Sequence, residues 1–99
     1  VIVNFTPEAR GDLDRIWAYI EQSNPRRAIS FVREIVGRSV ALSDMPLRYP
    51  LVPGHEVSGI RRVPRGNYLI FYRIVDERVD ILHILNGAQD YKAILFPDE

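Results

Sequence analysis

Two apolar runs dominate the hydrophobic pattern of the chain, Tyr68–Val75 and Arg78–Leu85, and only Asp76-Glu77 separates them. Both are rich in Ile, Val, Leu, Tyr and Phe, which fit a pleated, half-buried surface, and each has the length of a strand rather than a helix. The spacing predicts a tight hairpin, although Asp-Glu lacks the glycine that a type I′ turn prefers. Such a loop sets the register. Val75–Arg78, Arg73–Asp80, Phe71–Leu82 and Leu69–Ile84 pair on alternate rungs, with Ile74–Val79, Tyr72–Ile81, Ile70–His83 and Tyr68–Leu85 between them. One face then carries Tyr68, Ile70, Tyr72, Ile74, Val79, Ile81, His83 and Leu85, and is expected to pack on helices. The other carries Leu69, Phe71, Arg73, Asp80, Leu82 and Ile84. That face is too apolar for open water, so something must cover it.

Upstream, Val1–Phe5 reads as a first strand. Thr6-Pro7 is a helix start, with threonine as N-cap and proline in the first helical position. Ala9, Leu13, Ile16, Trp17 and Ile20 follow as a narrow apolar stripe. Asn24-Pro25 repeats the start signal for a second helix running to about Asp44. Its apolar residues Ala28, Ile29, Phe31, Val32, Ile35, Val36, Val40 and Leu42 form a stripe broad enough for two neighbours. The short join between the helices makes them an antiparallel hairpin. Met45–Val57, with three prolines, is a loop, Gly59–Pro64 a short strand, and Ala88–Phe96 a tail of one or two helical turns. The order is β-α-α-β-β-β: a single α+β domain over residues 1–99, with a helical hairpin on one face of a mostly antiparallel sheet.

Composition narrows the chemistry. Apolar residues at 46% and charged ones at 26% are ordinary globular values. The absence of cysteine excludes disulfides and thiolate chemistry, and it fits a reducing cytoplasm. No apolar run is long enough to span a membrane. A formal net charge of zero argues against a general nucleic-acid binder. Two histidines and scattered carboxylates give no metal-ligand spacing, and there is no glycine-rich phosphate loop. His83 reads as a core or edge histidine and His55 as a loop histidine. Arg61, Arg62, Arg65 and Arg73 fall in a stretch without acids. They form either a solvated edge, with Arg73 paired to Asp80, or a docking site for an acidic surface. Asp12, Arg15 and Tyr19 mark the outward side of the first helix, and Phe31 extends the second stripe beyond one neighbour. With Leu69, Phe71, Leu82 and Ile84, these positions are surplus surface of the kind that marks a partner site.

Taken together, Leu13-x-x-Ile16-Trp17-x-Tyr19-Ile20, Asn24-Pro25, Ile60-Arg61-x-Val63-Pro64, Tyr68-x-Ile70-Phe71-Tyr72-Arg73 and Leu85-Asn86-Gly87-Ala88-x-Asp90 resemble the ParE branch of the RelE/ParE toxin superfamily, over essentially the whole chain. The resemblance implies a growth-inhibiting, plasmid-stabilising cytoplasmic toxin of a type II toxin–antitoxin pair, neutralised by a cognate antitoxin. Contact with operator DNA would come only through that antitoxin. RelE-type members cut messenger RNA on the ribosome and ParE-type members inhibit DNA gyrase. The basic and tyrosine positions of the ribonucleases fall here on Ile60, Arg62, Leu69, Gln89 and Leu95, so only one cation remains. Metal-free RNA cleavage needs a base, an acid and phosphate-binding cations. The resemblance therefore implies a gyrase inhibitor with no catalytic residues and no cofactor, the ribonuclease being the alternative. Asn86 and Gln89 stand where ParE-like members often have His and Arg, which leaves a third reading, a degraded toxin kept as an antitoxin partner. The expected antitoxin surface is Asp12, Arg15, Tyr19, Phe31, Leu69, Phe71, Arg73, Leu82 and Ile84. The expected gyrase surface is Arg61, Arg62 and Arg65 with Tyr91, Ile94, Leu95 and Phe96 of the tail, unless the tail only covers the sheet.

Overall fold

Polar caps decide where the helices begin. In the computed structural model, which describes residues 2–98, Thr6 is extended and its Oγ1 accepts the Ala9 N–H at 3.1 Å as Pro7 opens α1 (Pro7–Glu21). Asn24 accepts the Arg27 N–H at 3.0 Å ahead of α2 (Pro25–Val40). The second helix is shorter than its apolar pattern suggests: it tightens at Ala41–Ser43 into a 3₁₀ turn. Ser39 lies within α2, fully buried, and satisfies its hydroxyl on the Ile35 carbonyl at 2.8 Å.

Four strands follow the order expected: β1 (Ile2–Phe5), β2 (Ile60–Arg65), β3 (Tyr68–Val75) and β4 (Arg78–Asn86), with a short α3 (Tyr91–Leu95) after them. Val1, assigned to the first strand by its sequence, lies outside the described residues. In space the strands run β1-β4-β3-β2, with β1 parallel to β4 and the other pairs antiparallel. The helical hairpin covers one face. The main core lies between them, built on Ile16, Phe31, Ile35, Val63, Ile70, Tyr72, Ile81 and Ile84. A second, smaller cluster of Val52, Ile60, Phe71 and Leu85 occupies the opposite face. No described helix is long and apolar enough to cross a membrane.

The hairpin register holds from Val75–Arg78 to Tyr72–Ile81 and then slips. Phe71 pairs with His83, Ile70 with Ile84 and Leu69 with Leu85, so Leu82 is an extra residue on β4. Beyond the bulge every β4 side chain changes face relative to simple alternation. Ile84, expected opposite the helices, joins the helix-side core, and Leu85, expected on that core, joins the second cluster. Leu82 remains beside the second cluster, as its alternation predicts. Phe31 is also corrected: it is 6% exposed, tilted against Tyr68 at 5.6 Å, with the Arg27 guanidinium over its ring. The breadth of the α2 stripe is absorbed here by the sheet.

The two sheet edges differ. Along β2, Arg62 N–H donates to Pro50 O at 3.1 Å and Val52 N–H to Ile60 O at 2.9 Å, so residues 50–52 shield that edge. On the outer side of β1 no other described strand is paired.

The hairpin loop generates a stability prediction. Asp76 adopts φ +54°, the only positive φ at a described residue other than glycine. A two-residue hairpin loop calls for that backbone, and an L side chain there costs up to about 1–2 kcal/mol. Asp76→Gly should raise the melting temperature by roughly 2–6 °C in a thermal-unfolding measurement; an unchanged or lower value would show the loop to be unstrained.

Candidate docking faces and the carboxylate that shapes them

β1 flanks β4 only between Arg78 and Ile81. Past that point the edge of β4 away from β3 has no neighbouring strand among the described residues, and side chains substitute for one. Thr6 donates from its N–H to Ile81 O at 3.1 Å, and from its hydroxyl to Ile81 O at 2.8 Å and Leu82 O at 3.1 Å. Asp12 Oδ2 accepts the Ile84 N–H at 2.9 Å and lies 2.8 Å from His83 Nδ1, while Oδ1 accepts from the Arg15 guanidinium. A carboxylate that takes an amide and a guanidinium proton is acting only as an acceptor, so the tautomer assigned to His83 carries its proton on Nδ1. Further on, Gln89 closes the strand end: its Oε1 accepts the Asn86 N–H, and its own N–H donates to Asn86 O, both at 3.1 Å. Among the described residues, no buried side-chain nitrogen or oxygen lacks a partner.

Asp12 is therefore buried, 3% exposed, where the sequence reading set it on the outward side of α1. The reason is that Ala9, Asp12 and Ile16 form the line of α1 that faces the sheet, and the edge of β4 needs an acceptor at that point. Arg15 and Tyr19 do face solvent, Tyr19 at 72% exposure. Of the other residues expected on one docking surface, Phe31, Phe71 and Ile84 are buried, Ile84 on the helix side. Leu69 and Leu82 are half-buried beside the second cluster and Arg73 is exposed. The nine residues do not make one face.

The arginine run is divided too. Strand alternation sends Arg61 and Arg65 towards the helix layer. Arg61 donates to Tyr49 O at 2.6 Å and so anchors the long loop, while Arg65 pairs with Glu34 of α2. Glu34 also takes Arg27 at 2.5 Å, and these guanidiniums, Arg27 first, hold its carboxyl below the ordinary range. Arg62 and Arg73 point to the opposite face. Arg62 donates to the Tyr91 hydroxyl at 2.7 Å. Arg73 stands across from Asp80 in register, yet the ion pair of Asp80 is with Arg78 on its own strand, at 2.9 Å. The hydrogen bond from Arg78 is the main cause holding the Asp80 carboxyl below its usual value.

The cover demanded by the apolar sheet face is the tail. Tyr91, Leu95 and Phe96 pack on the second cluster, with the Tyr91 ring 5.0 Å from Phe71. Phe96 stacks on His55 at 3.9 Å, tying the tail to the loop before β2. Ile94 is turned away and 40% exposed. Of the positions compared with the ribonucleases, Ile60, Leu69 and Leu95 thus belong to an apolar cluster, Arg62 is engaged by Tyr91, and Gln89 braces a strand end. Thr6 caps α1 as its sequence predicts, but sequence reasoning missed its bonds to the β4 carbonyls and the roles of Gln89 and His55. Only Asp12 gave a signal, as an acid on the line of Ala9 and Ile16.

Residues 3–91 match the family described as ParE toxin of type II toxin-antitoxin system, parDE. The chain is 32% identical over 89 residues to Toxin ParE1 of Caulobacter vibrioides, a match covering 88% of this chain and 90% of that protein. Among solved structures it resembles the chromosomal ParDE toxin–antitoxin system from P. aeruginosa, with a TM-score of 0.74 at 24% identity over 87% of this chain and 95% of that one. It also resembles the toxin–antitoxin complex RelBE2 from Mycobacterium tuberculosis, with a TM-score of 0.63 at 31% identity over 86% of this chain and 95% of that one. Fold and sequence together define a type II toxin of the RelE/ParE superfamily. Within it, the chain belongs to the ParE toxin family.

The Asp12 node can be tested by unequal substitutions. Asp12→Ala strips acceptors from a buried amide and an imidazole, and each unsatisfied group costs about 1–3 kcal/mol. The expected loss is at least 2 kcal/mol, or on the order of 10 °C in melting temperature. Arg15→Ala removes only the solvent-facing partner, whose place water can take, and should cost clearly less than Asp12→Ala. Equal losses in denaturant titrations of the two variants would refute the assignment of Asp12 as the strand's acceptor.

Proposed function

We propose that this toxin acts by binding and inhibiting DNA gyrase, without chemistry of its own, and that a cognate antitoxin neutralises it. The observation that carries the first part is the state of the sheet face where a ribonuclease would need its acid, base and cations. There, Ile60 and Phe71 are buried under the tail, and Arg62 is bound to Tyr91. A general acid–base pair needs groups within reach of a substrate hydroxyl and a leaving oxygen, and an apolar cluster supplies neither. The membership in the ParE family supports the same reading.

Purified toxin should inhibit gyrase supercoiling and leave ribosome-bound messenger RNA intact in primer-extension assays. Codon-specific cuts that disappear with Arg62→Ala would overturn it in favour of the ribonuclease. Inactivity in both assays would point to a degraded toxin, the reading suggested by Asn86 and Gln89.

The tail is the proposed contact with gyrase, through Ile94 and neighbouring residues of α3 with Arg62 beneath them. Support comes from the exposure of Ile94, an apolar side chain left open beside the packed Tyr91, Leu95 and Phe96. A chain truncated before Tyr91 should lose toxicity in cells while still binding antitoxin; growth arrest by the truncated chain would reduce the tail to a cover. For the antitoxin, the support is exposed apolar surface on and around the helices, Tyr19 at 72% and Val40 at 51%. An antitoxin segment that is disordered alone and folds over this surface fits such a spread of small patches. The proposed site of action is the cytoplasm, where gyrase and its DNA are found.

A further inference from the structure

We infer that a row of arginines along the junction of α2 and β2 binds the sugar–phosphate backbone of the DNA that gyrase holds, so that the toxin recognises the gyrase–DNA complex rather than gyrase alone. The inference rests on the gyrase reading above and adds a nucleic-acid contact to it.

The row begins where Arg27 and Arg65 meet on Glu34, with their side chains 48% and 32% exposed. It continues through Arg61, which donates to Tyr49 O at 2.6 Å, and Arg38, which donates to the Tyr49 hydroxyl at 3.2 Å. It ends at Arg48, which is exposed and holds its guanidinium 5.5 Å from the centre of the Tyr49 ring. Arg38 and Arg48 flank a cleft of about 370 Å³ at this end, where a phosphate with its sugar can enter between two guanidiniums. Arg27 and Arg38 lie about 16 Å apart along α2 at helical rise. Arg65 and Arg61 lie about 13 Å apart along β2. Glu34 ties the two series together at one end and Tyr49 at the other, so they run side by side. A row of this length meets roughly three to five phosphates of one DNA strand.

Charge, polarity and placement favour a phosphate backbone over an acidic protein surface. The acids set among the five arginines are Glu34 and Asp44, which leaves a surplus of three positive charges in a chain whose formal net charge is zero. Arg27, Arg38, Arg61 and Arg65 each make their contacts through one terminal nitrogen, so the remaining donors are left for an oxyanion. A protein partner would need an apolar centre. The row has none: Phe31 and Leu42 beneath it are 6% and 3% exposed, and the exposed Met45 and Leu47 stand only at the Arg48 end. Strand alternation also places the row and the tail on opposite sides of β2, since Arg62 turns to Tyr91 while Arg61 and Arg65 turn to the helix layer. A partner that offers protein to one side and DNA to the other meets both. With no net charge to draw it to free DNA, the toxin gains this contact where gyrase already holds the duplex at high local concentration.

The test measures binding of purified toxin to gyrase alone and to gyrase loaded with a DNA duplex, over a salt range in which gyrase retains its duplex. Wild-type toxin should bind the loaded enzyme at least ~10-fold more tightly at low salt. Arg38→Gln, which keeps a donor for Tyr49, and Arg48→Gln should each flatten the slope of log affinity against log salt by about 1. Both should unfold as the wild type does and bind DNA-free gyrase unchanged. Arg10→Gln, the same change of charge at an exposed site on α1, should leave the slope as it is. Equal affinity for the two forms of gyrase, or a slope that neither Arg38→Gln nor Arg48→Gln alters, would overturn the inference. Weaker binding of these two variants to DNA-free gyrase would also overturn it and give the row to an acidic protein surface. Wild-type toxin that neither binds nor inhibits gyrase in either form would instead remove the gyrase reading, and this inference with it.

Discussion

The structure depends on one buried carboxylate. β1 is only four residues long and abandons β4 halfway. The remaining edge of β4 must pass along α1 with its amides satisfied, or the sheet and helix layers could not touch. Asp12 meets that need by taking the Ile84 N–H and fixing His83, with Arg15 balancing its charge from the solvent side. Thr6 performs the matching task for the carbonyls of Ile81 and Leu82. A buried charge is tolerable only with such a complete set of partners. The bulge at Leu82 is the geometric expression of the same joint, since it brings the Ile84 amide to face Asp12 while Ile84 itself enters the core.

Around that joint the arginines serve as fasteners. Arg61 holds the proline-rich loop by a carbonyl, Arg65 and Arg27 share Glu34, and Arg62 holds the tail through Tyr91. A guanidinium suits these tasks because its planar set of donors can reach carbonyls, hydroxyls and carboxylates alike. A chain of this length has a modest core, and the second cluster beneath the tail enlarges it at the cost of tying down a segment proposed to meet another protein.

Much of the architecture is written locally. Thr6-Pro7 and Asn24-Pro25 start their helices by chemistry confined to a few neighbours, and the first four rungs of the hairpin follow from the two-residue loop. The apolarity of Phe71 and its neighbours also demanded a cover, which the tail supplies. What could not be read is non-local. The bulge sits next to the point where β1 stops, and β1 lies some 75 residues away in sequence. Asp12 looked like a surface acid because helical spacing alone cannot say that an unpaired amide waits opposite it. Phe31 looked surplus because the reach of the sheet beneath α2 was unknown. The arginine run reads as one patch in sequence, whereas the alternation of β2 sends Arg61 and Arg65 to one face and Arg62 to the other. All of these concern the candidate site more than the fold, so the fold was the more legible of the two.

The inequality of the two sheet edges sets a limit on assembly. A sheet open at both sides can accept neighbours on each and extend without end, which is how strand-rich proteins become fibres. Here residues 50–52 occupy one side, so strand pairing has a valence of one. Any association through the sheet closes after a single event, whatever the concentration. A domain with a central hairpin as apolar as β3 and β4 can thus keep an edge available for recognition without offering a template for growth.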